Sequence, residues 1–520
     1  MTKPVNFLYI MTDQHRADWL GCAGHPVVKT PNIDALAARG TRFTDFHVAS
    51  PVCMPNRAAF MTGRYPTTNG MRFNGGRLSL RANTFVDVLR AGGYRTALLG
   101  KSHLQTMTAD QPHDWQDPKD APIPEAWKPE DGDYLNEEPH RYQSAERFEP
   151  ETPYYGFDEV DLVTMHGAFC GGHYLQWLRD KHPDWQELRD PANQLPHDYT
   201  CPQAIRTKLP EDSYPTAYVR DRAKDYLRAN ANNDQPLFTF VSFPDPHHPF
   251  TPPGKYWDMY SPDDFEIPNR FEDHENPPPP LTACRKDLLA NALPEARTTA
   301  QMVSDQHVRE AMALSAGMIT MIDDAIGEII AVLEETGQLD NTVIIFNSDH
   351  GDYLGDFNLL LKGPWMSETI TKVPMIWADP TAPEPAIRDD LGSTLDMAPT
   401  ILERAGITPY VGMQGRSLLG QVGGTLPDRD TLMVEYNDGF ARMGFDSPAR
   451  VRGLLTEDWR LVVYRDQDWG ELYDRRNDPL NLRNRWDDTD CAGTKAQLME
   501  SLTHHLIAMM DDSPRADRPA

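Results

Sequence analysis

Thr342-Val343-Ile344-Ile345-Phe346-Asn347-Ser348-Asp349-His350-Gly351 sets a short apolar run directly against a polar cluster able to bind a metal. Three other runs end in the same way. Phe7–Met11 leads into Thr12-Asp13-Gln14, Thr96–Leu99 into Gly100-Lys101-Ser102-His103, and Leu237–Phe243 into Pro244-Asp245-Pro246-His247-His248. Continuous apolar runs of this length, rich in Val, Ile, Leu and Phe, read as strands buried on both faces of a parallel sheet. In open α/β sheets ligands bind just beyond the carboxyl ends of the strands. Four polar clusters at four such ends therefore predict one site on one sheet edge, in an α/β fold.

Helices are expected between these strands. Ile319, Ile322, Ile326, Ile329, Ile330 and Leu333 recur at helical spacing, and Gly337 suits the end of that helix. Asn32 is placed as the cap of a helix over Ile33–Ala38, and Phe85–Arg90 is read as another, closed by Gly92-Gly93. Residues 105–235 have poor periodicity and are read as long excursions over the sheet edge; Asn276-Pro277-Pro278-Pro279-Pro280 reads as a stiff connector. Beyond about residue 425 the pattern changes to short strands (Thr431–Glu435, Trp459–Tyr464, Leu472-Tyr473) and a helix near Ala496–Met510. The expected division is a catalytic domain over 1–425 and a small antiparallel α+β subdomain over 426–520.

The 520 residues, 39% hydrophobic and 25% charged, can support a sizeable core and do not suggest disorder. Acidic residues outnumber basic ones by 78 to 50, a formal charge of −28. That balance argues against nucleic-acid and anionic-membrane partners, and an anionic substrate would need a local cationic pocket. No apolar run approaches a membrane span, and Phe7–Met11 is too short for a signal-peptide core. The six cysteines are scattered without a CxxC pair and read as reduced thiols, so a cytoplasmic location is expected.

One of those cysteines stands apart. In Ser50-Pro51-Val52-Cys53-Met54-Pro55-Asn56-Arg57-Ala58-Ala59-Phe60-Met61-Thr62-Gly63-Arg64, Pro55 pre-sets a first helical turn and Gly63 closes the helix. Cys53 then lies at a helix N-terminus, where free N–H groups favour an anion, with Arg57 one turn on. Taken alone, the bland reading is a buried cysteine before an ordinary helix. Cys53-Met54-Pro55-Asn56-Arg57, followed by Ala58–Pro66, resembles the signature of the sulfatases, in which the cysteine is oxidised to Cα-formylglycine. The resemblance continues through Thr30-Pro31-Asn32-Ile33-Asp34, Gly100–Leu104, Pro246–Phe250, Ser348–Gly351, Lys362-Gly363-Pro364, Asp396–Thr400 and Glu471–Asp474. It covers residues 5 to about 485 and implies an alkaline phosphatase-like fold: a large, mostly parallel sheet between helices with a small C-terminal subdomain.

What the resemblance implies about chemistry is specific. A thiolate that attacked sulfur would have no internal way to expel the sulfate. A hydrated aldehyde has two hydroxyls on one carbon, one to attack and one whose deprotonation ejects sulfate. By resemblance, Asp13, Gln14, Asp349, His350 and residue 53 hold one divalent cation, Ca²⁺ first, with Mg²⁺ or Mn²⁺ as options. Lys101, His247 and Lys362 contact the sulfate, His247 or Lys362 protonates the leaving alcohol, His103 serves as base, and Arg57 holds the diol. His248 is the weaker of the adjacent histidines. Asn74 lines the entrance or is simply a turn residue before Gly75-Gly76. Asp13-Gln14 and Asp349-His350, where many sulfatases carry Asp-Asp and Asp-Asn, resemble the bacterial branch of phosphonate monoester hydrolases and choline sulfatases. The expected partners are a small-molecule sulfate ester and a formylglycine-generating maturation enzyme; a homo-oligomer is left open. A phosphonate monoester hydrolase or phosphodiesterase on the same scaffold is the alternative, and a silent binding protein with unmodified Cys53 the rival of another class. Trp115, Trp127, Trp177, Trp185 and Trp365 are candidates for an aromatic wall around the alcohol, against the ordinary reading of core packing.

Overall fold

Alternate residues of the first strand, β1 (Asn6–Thr12), enter opposite cores: Phe7, Tyr9 and Met11 one, Leu8 and Ile10 the other. That is the signature of a strand covered on both faces, and it sets the architecture. The computed structural model describes residues 4–108, 132–292, 299–382, 384–423 and 429–515. Nine strands are described in the main sheet. They are β1, β2 (Thr41–Phe43), β3 (Arg95–Gly100), β4 (Glu159–Thr164), β5 (Gly171–Gly172), β6 (Leu237–Ser242), β7 (Thr342–Ser348), β8 (Met375–Ala378) and β9 (Ala386–Arg388). Their order is β9-β2-β8-β7-β1-β6-β3-β4-β5. The central β7, β1, β6, β3 and β4 are mutually parallel, whereas β8 runs antiparallel to both β7 and β2. The sheet is mixed and mostly parallel, as expected.

Helices cover both faces. On one side α1 (Pro31–Ala37), α4 (Pro215–Ala229) and α5 (Asp305–Glu335) bury Ile33, Tyr218, Ile322, Ile326 and Ile329 against Leu8, Ile10 and Phe346. On the other, α2 (Cys53–Thr62), α3 (Phe85–Ala91) and α6 (Met397–Arg404) bury Phe60, Phe85 and Ile401 against Phe7, Tyr9 and Phe240. Each such aliphatic or aromatic side chain removed from water contributes about 2 kcal/mol. The helix read from the isoleucine spacing is longer than its stripe: it starts at Asp305, capped by Ser304, and ends before Gly337 at φ 68. The cap assigned to Asn32 is a correction. The helix begins at Pro31, and Asp323 of α5 accepts the N–H groups of Asn32 (3.1 Å) and Ile33 (2.8 Å). A carboxylate distant in sequence does the capping, so no local motif announces it.

Residues 105–235 also differ from expectation. β4 and β5 belong to the main sheet and α4 packs on its face, so only part of the stretch is excursion. Charges masked both elements: β4 alternates Glu159 and Asp161 with its apolar residues, and α4 carries Arg220, Asp221, Arg222, Lys224 and Asp225. Trp115 and Trp127 lie outside the described residues. Trp365 is fully buried against Tyr353 and Phe357, donating Nε1–H to Glu471 (2.9 Å), so it is core and not wall. Trp177, partly buried, packs on Tyr174 and Tyr218 at the margin of a core cluster that Trp185 also flanks.

The C-terminal strands β10 (Leu432–Asn437), β11 (Arg450–Leu455), β12 (Trp459–Tyr464) and β13 (Gly470–Asp474) form an antiparallel meander, followed by α7 (Ala492–Ala508). β11 escaped the sequence reading because Arg450 and Arg452 interrupt its apolar pattern. The boundary placed near 425 falls in 424–428, outside the described residues. The meander shares its cores with the main body, Leu454, Leu461 and Leu472 packing with Ala49, Ala59 and Leu395. It is also tied by ion pairs: Arg475 reaches Asp45 (2.6 Å) and Glu368 (2.7 Å), and Lys372 reaches the same two at 2.9 and 3.0 Å. Asp45, His47 and Glu368 resemble a metal-ligand set in spacing, but these two cations already neutralise the carboxylates. Among the described residues no helix is long and apolar enough to cross a membrane.

Candidate active site

Strand register decides which side chains meet. Thr12 pairs with Ser348, and Met11 and Gly100 both pair with Ser242, so β1, β7, β3 and β6 end level with one another. The next residues inherit that level: Asp349 N–H donates to Thr12 O (3.1 Å), Lys101 N–H to Ser242 O (2.9 Å) and Asp13 N–H to Asp245 O (3.1 Å). Gly100, at φ 118, is the hinge of this arrangement, because a Cβ there would stand 2.0 Å from Ser242 O.

Helix α2 delivers Cys53 to the same edge. All ten of its residues are buried, since it lies between the main sheet and the C-terminal cores. Its N-cap, Val52, has no side-chain acceptor, and Asn74 Oδ1 instead accepts the Met54 N–H (3.1 Å). Asn74, itself exposed, thus closes the start of the helix that carries Cys53. Asn56 Nδ2 donates to Asp349 O (2.6 Å), while its Oδ1 accepts from Ala49 N–H and Thr394 Oγ1. Arg57 donates from Nε to Asp349 Oδ2 (2.7 Å), from one Nη to Lys101 O (2.8 Å) and Ser242 Oγ (2.9 Å), and faces Asp13 Oδ2 at 3.5 Å. One guanidinium therefore links four strand ends.

Donor atoms of Asp13, Cys53, Asp349 and His350 all lie within 4.8 Å of one another, and all four residues are buried. His350 Nδ1–H donates to Gly351 O (2.8 Å), which leaves the Nε2 lone pair facing Cys53 Sγ at 3.0 Å. This is the tautomer and orientation that metal-ligating histidines adopt. Two carboxylates, one correctly oriented imidazole and a neighbouring residue 53 fit a hard or borderline divalent cation. Gln14, at φ 66, donates its N–H to Asp349 Oδ1 (3.1 Å). Its carboxamide bridges Lys362 Nζ (2.7 Å) and His248 Nδ1 (3.2 Å), and also contacts Asp352.

Two lysines act electrostatically on Cys53. Lys362 Nζ donates to His247 Nε2 (3.0 Å), and the His247 Nδ1–H donates to His248 O (2.6 Å). Lys101 Nζ donates to Asp13 and to His166 Nε2 (2.6 Å). Asp13, His166 and His247 also cluster like metal ligands, with the Lys101 ammonium bonded to two of the three. His166 was not read from the sequence. Its ring stacks on His247 at 3.6 Å, and it follows β4 as the other site residues follow their strands. The signal was present but hidden by reading 105–235 as irregular. His103 is buried, at φ 57, with Nδ1 free of any hydrogen bond among the described residues.

Burial and Asp13 push the Cys53 thiol up to about 11, although Lys362 and Lys101 oppose the shift. An unmodified thiol here is protonated at neutral pH and a poor nucleophile. Burial alone would raise Asp13, but Lys101 and Arg57 hold it well below the usual carboxylate range. Burial, assisted by Lys362, lowers His247 well below its ordinary value, and burial followed by His247 and Lys101 does the same to His166. These lowered values favour neutral imidazoles.

The sulfatase family model matches residues 5–407, and that of the N-sulphoglucosamine sulphohydrolase C-terminal region matches 355–508. The chain belongs to the sulfatase family, hydrolases with an alkaline phosphatase-like fold. It is 28% identical over 516 residues to the uncharacterized sulfatase YidJ of Escherichia coli strain K12, covering 98% of this chain and 88% of that one. It is 28% identical over 497 residues to the choline-sulfatase of Rhizobium meliloti, covering 93% and 82% respectively. The crystal structure of the phosphonate monoester hydrolase of Agrobacterium radiobacter superposes with a TM-score of 0.76 at 26% identity, over 99% of this chain and 100% of that one.

Proposed function

We propose that the protein hydrolyses sulfate monoesters, with Cys53 converted to formylglycine as the source of the nucleophilic oxygen. The carrying observation is the pair of lysines, Lys101 donating to Asp13 and Lys362 to Gln14, both of which act electrostatically on buried Cys53. A sulfate monoester offers three non-bridging oxygens, and as charge moves to the leaving oxygen those cations stabilise it. A divalent cation held by Asp13, Asp349 and His350, with Gln14 and residue 53 completing the set, would polarise a sulfate oxygen and acidify the attacking hydroxyl.

The chain's own groups divide the remaining work. Arg57 fixes Asp13 and Asp349 relative to the helix that carries residue 53. Lys362 is the proton source for the leaving alcohol, directly or through neutral His247, to which it already donates. His103, neutral and with Nδ1 unengaged, is the base that assists sulfate release. Lys101 and His247 complete the sulfate-binding set. The division into a catalytic part over 1–425 and a C-terminal subdomain over 426–520 belongs to the same proposal.

A second reading, phosphonate monoester or phosphodiester hydrolysis, is supported by the full-length likeness to the phosphonate monoester hydrolase. A diester fills the third non-bridging position with a bulky group and removes the oxygen that Lys101, already paired with Asp13, would stabilise as charge develops, a penalty in transition-state stabilisation. The test is a panel of aryl sulfate, aryl phosphodiester and aryl phosphonate on metal-replete protein whose residue 53 has been checked by mass spectrometry. The expected kcat/KM for the sulfate is about a hundredfold or more above the diester, if about 3 kcal/mol of that penalty reaches the transition state. Lys101→Ala should erase most of the difference. A wild-type preference for the diester moves the assignment to the second reading.

A further inference from the structure

The C-terminal meander brings uncompensated arginines to the neighbourhood of Cys53, and the route can be followed contact by contact. Asn74, whose Oδ1 caps Met54, packs against Gly439: a Cβ on that glycine would lie 3.8 Å from Asn74 O and 3.2 Å from the Phe73 ring. Asp438, the preceding residue, accepts through its carbonyl from Arg450 Nη1 (2.6 Å). Arg450 and Arg452 sit two residues apart on β11 and so share a face, opposite Asn437 and Glu435 of β10. Glu435 on that face holds the N–H (3.1 Å) and hydroxyl (2.6 Å) of Thr67, so the face turns toward the 66–74 segment.

The charges there are not balanced. Among the described residues, neither Arg450 nor Arg72 has a carboxylate within ion-pair distance, and the hydrogen bonds of Arg450 go to the carbonyls of Asp438 and Ala449. Arg452 reaches Glu435 only at 3.8 Å. After burial, repulsion by Arg465 and Arg72 lowers the pKa of Arg450. Beside them Asn437 is 2% exposed; its Oδ1 accepts from Arg452 (3.3 Å), but its Nδ2 has no partner among the described residues. Arg72 and Arg450, neither in an ion pair among the described residues, lie with the more distantly paired Arg452 next to a buried donor lacking an acceptor, and form a surface that an anion would satisfy. In a chain of net charge −28 such a patch is not a by-product of general basicity.

We propose that this crease, formed by Arg72, Asn437, Arg450 and Arg452, is a subsite for a second anionic group on the substrate, a sulfate or carboxylate of a sulfated saccharide whose scissile sulfate sits at residue 53. The inference rests on the sulfate-ester reading and narrows it: the crease connects to residue 53 through Met54, Asn74, Gly439 and Asp438, so its occupant would be a second group of the same substrate. A small aryl sulfate carries no group that reaches the crease.

The test measures binding to the Cys53→Ala protein, which cannot turn substrate over, by calorimetry with a disulfated disaccharide and its monosulfated counterpart. The disulfated compound should bind at least about tenfold more tightly, the worth of one charge-assisted contact. In Cys53→Ala/Arg450→Ala the ratio should fall to near one, and in Cys53→Ala/Arg450→Lys it should be partly restored. Arg72→Ala, a change at an exposed position, gives the same readout should the Arg450 variants fail to fold. Equal affinities for the two saccharides, or a preference that survives both alanine variants, would overturn the subsite. Aryl sulfate turnover by the wild-type enzyme reports on the parent reading separately. No turnover together with an intact disulfate preference would sink hydrolysis while supporting the crease.

Discussion

Glu137 accepts the N–H groups of His103 (2.8 Å), Leu104 (3.0 Å) and Gln105 (3.0 Å) and the hydroxyl of Tyr154 (2.8 Å), all in a fully buried setting. Three successive amides held by one carboxylate fix the loop that carries Lys101 and His103, and make Glu137 a positioning residue that touches no substrate. Glu137→Gln would turn an NH₂ toward those donors and release the loop. We expect kcat to fall by about tenfold to a hundredfold with KM within about twofold, a cost of one or two units of RT ln 10. A role confined to stability would instead lower Tm and leave the kcat of folded enzyme unchanged. Nothing in Asn136-Glu137-Glu138 announces this, because three partners are backbone groups some thirty residues earlier and the fourth is the later Tyr154 hydroxyl. Asp13, Gln14, Cys53, Arg57, Lys101, His103, His247, Asp349 and His350 were legible because each follows a strand or opens a helix, where side-chain type and position can be read together. Lys362 had only its resemblance to support it, since it sits on a loop whose conformation is set by Asp352 accepting from Leu361 N–H (2.8 Å).

Strands whose both faces are covered have continuous apolar runs, which is why β1, β3, β6 and β7 could be read directly. β4, toward the sheet edge, and β11, with its arginines, alternate charge with apolar residues and lose that signal. The crossing of β3 with β6 gives an element-scale prediction. Gly100→Ala places a methyl 2.0 Å from a backbone carbonyl at a φ of 118, so neither neighbour can yield cheaply. Urea denaturation should show a loss of at least about 2 kcal/mol, with activity falling further because Lys101 is the next residue. A similar case holds for the start of α2. Asn74→Ala removes the acceptor for Met54 N–H, and should lower stability by about 1 kcal/mol while reducing kcat, as residue 53 loses its fixed backbone. Unchanged turnover in that variant would show that the cap does not position the nucleophile.

The C-terminal meander is joined to the main sheet by Asp45, Glu368, Lys372 and Arg475, and this junction sets a pH dependence of the whole fold. Burial alone would raise both carboxyls, but His47, Lys372 and Arg475 hold Asp45 far below its ordinary value, and Lys372 and Arg475 do the same for Glu368. Folded pKa values below the unfolded ones mean stability that is complete above the usual carboxylate range and is lost as pH falls through it. Tm should therefore fall steeply below about pH 4, and Glu368→Gln should flatten that slope. Arg475→Ala should cost about 3 kcal/mol or more at neutral pH by leaving buried charge unpaired. Cys53, finally, is 1% exposed within a helix enclosed by two cores. On the proposed conversion of Cys53, no second protein can grip that side chain once the chain has folded, and maturation would have to win a race against folding. The fraction of active molecules would then reflect the timing of synthesis as well as the supply of maturation enzyme. Unmodified protein that is folded first and offered the maturation enzyme afterwards should gain no aldehyde by mass spectrometry, whereas the unfolded chain should be converted.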